Sequence, residues 1–117
     1  MAKTASQNKD ADAVEKTIAA MPDADRVVAE RLHMVILSAA PQLSPKLWYG
    51  QPAYARDGKV VCFFRGADVD DERYLTFGFS GEANLDEGNI WPTSFAIAQL
   101  ADGDERRIER LVKQATS

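Results

Sequence analysis

Apolar positions change period along the chain, dividing it into a helical first third, a strand-rich middle and a helical end. Val14, Ile18 and Met21 stand at helical spacing and predict a short helix over 10–20, interrupted by Pro22. Residues 1–9 lack that pattern and read as a disordered tail ahead of a single domain over 10–117. A second helix is predicted over 23–40, where Val28, Leu32, Val35, Ile36 and Ala39 share one face. Val27, Met34 and Leu37 widen that apolar surface, as expected of a helix touching both a sheet and another helix. Asp23 and Asp25 suit its positive end, and Pro41 stops it.

From position 48 the period shortens. All ten aromatic residues lie between Trp48 and Phe95, with β-branched neighbours and short turn signals, which reads as sheet. Strands are predicted over 46–49, 53–55, 59–65, 73–79 and 93–98. Arg56-Asp57-Gly58 reads as a hairpin turn, since Asp-Gly tolerates positive φ, and 66–71 as a second, acidic turn. Along 73–79, Leu75, Phe77 and Phe79 point one way, whereas 59–65 is apolar on both faces. The second face of the sheet is therefore expected to be covered by a helix, a partner subunit or a ligand. The long connection over 80–90 has the character of a lid or binding loop. A last helix over 103–115 carries Ile108, Leu111, Val112 and Ala115 as its stripe, with Asp102 and Glu105 at capping-box spacing.

Charge narrows the partners. Fourteen Lys and Arg against eighteen Asp and Glu give a net charge of −4, a field favouring neither nucleic acid nor an anionic membrane. The excess sits in 47–101, which carries four positive and eight negative side chains. The longest purely apolar run is Val60 to Phe64, far short of the ~20 residues that span a bilayer. The first ten residues are too polar for a secretory signal core, so the expectation is a soluble, cytoplasmic protein.

Candidate chemistry is sparse. Cys62 stands alone among bulky apolar neighbours and reads as a buried small hydrophobe. One Cys and one His exclude a self-contained zinc site of thiolates and imidazoles. Glu30-x-x-His33 has the spacing of one half of a carboxylate-bridged di-iron motif, but with a single His it reads as a solvated surface pair. Asp68 to Glu72 begins like a calcium loop and then lacks both its Gly and its closing Glu. Gly78-Phe79-Ser80-Gly81-Glu82 misses the second Gly of a nucleophile elbow. The basic residues of the last helix interleave with Glu105 and Glu109, as on a solvated face. What remains is the aromatic cluster: core packing accounts for most of it, while Trp48, Tyr49, Tyr54 and Trp91 carry polar groups suited to a pocket or interface. With Gln51, they form the candidate ligand-binding set; no catalytic residue is assigned and any metal ligands are unknown.

Trp48-Tyr49-Gly50-Gln51-Pro52-Ala53-Tyr54, then Asp57-Gly58-Lys59-Val60-Val61-Cys62-Phe63-Phe64, resembles the YdhG-like family of unknown function. Gly78-Phe79-Ser80, Ala83-Asn84-Leu85-Asp86 and Trp91-Pro92-Thr93 look like one branch of it. The resemblance implies an α+β fold: a single two-layer domain of about five antiparallel strands packed with two N-terminal helices and one C-terminal helix. It also implies similarity to frataxin-like proteins, with iron as a cofactor or cargo by that resemblance alone; the nearest carboxylates are Asp10, Asp12 and Glu15, or Asp23 and Asp25. The expectation is a non-enzymatic protein binding a small ligand or metal ion. The alternative is a protein-interaction or homodimerisation module that uses the aromatic sheet face.

Overall fold

The computed structural model describes residues 4–117. Helix α1 (Ala5–Ala19) starts well ahead of the expected position 10. Thr4 Oγ1 accepts the Gln7 N–H at 3.1 Å, and Gln7 Oε1 accepts the Thr4 N–H at 2.9 Å. This reciprocal cap satisfies two orphan donors and starts a helix where apolar periodicity gives no sign of one. Of the expected tail, 5–9 is therefore helical, and residues 1–3 lie outside the described residues.

Helix α2 (Asp23–Ala39) follows, then strands β1 (Ser44–Trp48), β2 (Gln51–Arg56) and β3 (Lys59–Arg65). A 3₁₀ turn (Ala67–Asp70), strands β4 (Leu75–Phe79) and β5 (Ser94–Ile97), and helix α3 (Asp102–Ala115) complete the chain. The strands form one antiparallel sheet in the order β1-β2-β3-β4-β5, so the α+β class and its two-plus-one division of helices are as expected. Two hairpins are closed by two-residue loops. In each, both residues take positive φ: Tyr49 at 52° with Gly50 at 76°, and Asp57 at 53° with Gly58 at 80°. Paired positive φ matches the right-handed twist of the flanking strands.

All three helices serve the same sheet face. Val14 and Ile18 from α1, Leu32 and Ile36 from α2, and Ile108 and Val112 from α3 join Tyr54, Cys62, Phe64, Leu75 and Phe77 in one core. The predicted facing of Leu75, Phe77 and Phe79 holds, with all three in that core. Bidentate Arg31–Glu105 contacts at 2.7 and 2.9 Å tie α2 to α3. Glu105 is thereby committed, and the expected Asp102–Glu105 cap does not form; instead Asp104 Oδ2 accepts the Ala101 N–H at 3.0 Å. Val27 and Met34 stay exposed, because α2 packs through its opposite side.

Two further expectations are corrected. The 80–90 connection is tied down in its first half and open only over 86–90: Ala83 and Leu85 are core residues, and the Asn84 N–H donates to the Ala115 carbonyl at 2.9 Å. The second sheet face is not covered by a helix. It covers itself: Trp48 and Phe63 project there, with ring centroids 5.3 Å apart, and Phe63 stands directly cross-strand from the small Ala53. Gly78, cross-strand from Phe63, gives the Phe63 ring its seat, since a Cβ at Gly78 would lie 2.6 Å from Phe63 Cζ. Glycine in a strand interior is otherwise a cost.

A double-mutant cycle tests that seat. Gly78→Ala in the natural chain forces the ring off the face and destabilises it by roughly 1–2 kcal/mol in denaturant unfolding. In a Phe63→Ala background the same change is neutral or stabilising, because only the glycine's backbone entropy remains at stake. Equal effects in both backgrounds would show that the ring does not depend on position 78.

Candidate functional site

The five candidate ligand-binding residues do not converge on one cavity. Tyr54 points from β2 into the core and is fully buried. Trp91 rests half-buried against the edge of that core. Trp48 lies on the opposite face, edge-on to Tyr49 with ring centroids 5.0 Å apart, and Tyr49 is 86% exposed at the tip of the first hairpin. Gln51, paired with Trp48 across the turn, completes that tip. Register separates the set: residues two apart share a face, so Tyr54 and Gln51 must diverge. A bulky residue at positive φ is uncommon, and Tyr49 occupies that region with the Trp48 ring edge-on to it.

The residue that sequence reasoning misplaced is His33. It is half-buried, and its Nδ1 lies 2.8 Å from Tyr54 Oη, joining α2 to β2. Burial pushes the Tyr54 hydroxyl well above its ordinary pKa, so it keeps its proton and donates to Nδ1. The neutral imidazole then carries its own proton on Nε2. Burial likewise lowers the His33 pKa, opposed by the Glu15 carboxylate. Glu15, Glu30 and Met34 share with it the lining of a shallow cleft of about 310 Å³ between α1 and α2. Glu30 itself turns to Arg26 at 3.6 Å, so the expected solvated Glu30–His33 pair is not present. A partner twenty-one positions away on another element leaves no mark in helical spacing.

Chemically reactive groups are otherwise withdrawn. Cys62 sits cross-strand from Tyr54, and burial drives its thiol pKa strongly upward, which keeps it protonated. Among the described residues, no three His, Cys, Asp or Glu side chains form a group that could hold a metal ion. Asp10, Asp12 and Glu15 are exposed along α1, whereas Asp25 is buried at the start of α2, where its Oδ2 accepts the Asp68 N–H at 3.4 Å. No helix among the described residues is long and apolar enough to cross a membrane.

One polar atom is left over. Gln51 Nε2 donates to the Trp48 carbonyl at 3.4 Å, but its Oε1 is buried without a hydrogen-bond partner. Gln51 lines a cleft of about 300 Å³ between the end of α1, the first hairpin and the turn after β3, with Thr17, Met21, Pro52, Asp68 and Val69. A larger, more polar groove of about 680 Å³ runs from Thr4 and Gln7 past Lys46 to Asp57. It contains no comparable unpaired buried group among the described residues.

The burial of His33 makes stability depend on pH. Because His33 has a lowered pKa when folded, the unfolded chain binds more protons between that value and about 6.5. Stability is therefore full above about pH 6.5 and falls as pH drops through that window toward the folded pKa. In a His33→Asn variant, which presents an acceptor near the Nδ1 position, that part of the slope is lost in chemical denaturation across the window. Tyr54→Phe is expected to cost about 1–2 kcal/mol by leaving Nδ1 unpaired, measured at pH 7.5 where neither protein titrates His33.

Comparison of the chain with protein-family models, with curated proteins and with solved structures returns no match.

Proposed function

We propose that this is a non-catalytic, cytoplasmic binding protein whose ligand is a small organic molecule bearing an N–H donor. The observation that carries this reading is the unpaired Gln51 Oε1, buried just behind a hairpin cleft that Gln51 lines, so that a rotation of this side chain brings the acceptor to a bound donor. A buried acceptor without a partner costs about 1–3 kcal/mol, and a bound donor recovers that cost. Asp68 adds a second acceptor at the rim, while Met21, Pro52 and Val69 offer apolar contact. That combination suits a small amine or amide with an apolar body. A cleft of about 300 Å³ stands at the small end of ligand sites, so the ligand is of metabolite size.

The dispersed carboxylates favour such a molecule over iron, which the YdhG-like resemblance raised. The protonated, inaccessible Cys62 and the engaged His33 Nδ1 favour binding over nucleophilic catalysis. A free, unpaired thiol is also in keeping with a reducing compartment.

Protein-observed NMR titration with a set of small primary amines and amides tests the site. Binders are expected to shift the Gln51 side-chain amide and the Val69 methyl resonances together. Gln51→Leu is expected to abolish those shifts while leaving the unliganded protein equally stable, or more stable by about 1 kcal/mol, since it removes the orphan acceptor. Binding that maps elsewhere, or that survives Gln51→Leu, would refute the assignment.

A further inference from the structure

Strand β5 is a free edge of the sheet, unlike β1, which α1 packs along. The Phe79 N–H donates to the Thr93 carbonyl at 2.7 Å, and the register pairs Phe77 with Phe95 and Leu75 with Ile97. In an antiparallel ladder this phase turns the amides and carbonyls of Phe95 and Ile97 toward β4, and those of Ser94 and Ala96 outward. Both outward residues are exposed and small. The usual defences of an edge are missing here: residues 88–101 contain no charged side chain, and no bulge interrupts β5.

Beneath this edge α3 runs back along β5. Phe95, Ile97, Leu100 and Leu111 line a groove of about 210 Å³, with Asp104 and Arg107 at its border. Along α3, Glu105 is held by Arg31 and Glu109 by Lys113, which leaves Asp102 and Asp104 in the first turn and Arg106, Arg107 and Arg110 after it as the charges outside those two pairs.

We infer that the β5 edge is a homodimer interface, in which β5 of a second copy adds antiparallel to the Ser94–Ile97 edge and continues the sheet. The occupant follows from complementarity. A twofold axis beside Ala96 brings two α3 helices together antiparallel, so the acidic first turn of each meets the arginines of the other. The same axis joins the two apolar grooves through Phe95 and Leu111. The acidic excess of the chain lies between positions 57 and 87, outside the edge segment, and does not oppose the approach. This interface is independent of the Gln51 cleft at the opposite end of the strand order.

Sedimentation equilibrium of the full chain over micromolar to millimolar concentration is expected to show reversible association to twice the chain mass. Hydrogen exchange is expected to show the Ser94 and Ala96 amides becoming protected as dimer forms. Ala96→Pro removes an outward N–H while leaving the β4 ladder intact, and is expected to yield a folded monomer. Ala96→Lys, which adds a charge without changing the backbone, is expected to do the same should the proline variant fail to fold. Arg107→Glu is expected to weaken the dimer and Asp104→Arg,Arg107→Glu to restore it. A chain that stays monomeric throughout overturns the inference, as does a dimer that folded Ala96→Lys leaves unchanged.

Discussion

Phe63 lying across Gly78, with Trp48 beside it, is the contact on which this architecture depends. Among the described residues the fold has three helices and a five-strand sheet, and all three helices are committed to one side. A sheet left bare on its other side would expose apolar strands to water. Aromatic side chains solve this without another layer, provided a cross-strand neighbour is small enough for a ring to lie flat. Gly78 and Ala53, on either side of Phe63, are those neighbours. The consequence reaches function: the rings on this face seal a surface, and the polar recognition chemistry is left to the hairpin end.

Inside the helix layer, His33 and Tyr54 do a related job. The buried phenol needs an acceptor and the half-buried imidazole needs a donor; one bond satisfies both and fixes the height of α2 over β2. It also uses the only histidine for structure. With Cys62 protonated in the core, the groups most often recruited for catalysis are occupied in holding the fold together. The unpaired Gln51 oxygen stands out against that background, because nearly every other buried polar group described has found a partner.

Strand β3 and its Asp57-Gly58 turn were legible at their true boundaries, because a continuous apolar run beside a positive-φ turn has few other solutions. Helix α2 was equally clear, bracketed by acidic residues and Pro41. Strands β1 and β2 are longer than expected, since Pro45 and Pro52 argue against strand even though an edge strand and a strand end tolerate them. The Tyr49-Gly50 turn was obscured because tyrosine at positive φ is a rare choice. The apolar second face of β3 was visible, but its cover was sought in another element; nothing in a period-two pattern distinguishes a ring packed on glycine from a ring packed on a helix. Of the candidate site, Gln51, Trp48 and Tyr49 do gather at one hairpin, and Tyr54 leaves them because it faces the opposite side.

Among the described residues, helices cover one sheet face while the other is sealed by its own side chains. Solvent paramagnetic relaxation enhancement of the assigned NMR resonances, using a soluble gadolinium chelate, tests it directly. The rings of Trp48 and Phe63 and the methyls of Thr76 and Ala96 should be attenuated, while Tyr54, Phe64 and Phe77 are protected. Equal protection of both sets at concentrations where the chain is monomeric would contradict a one-sided helix layer.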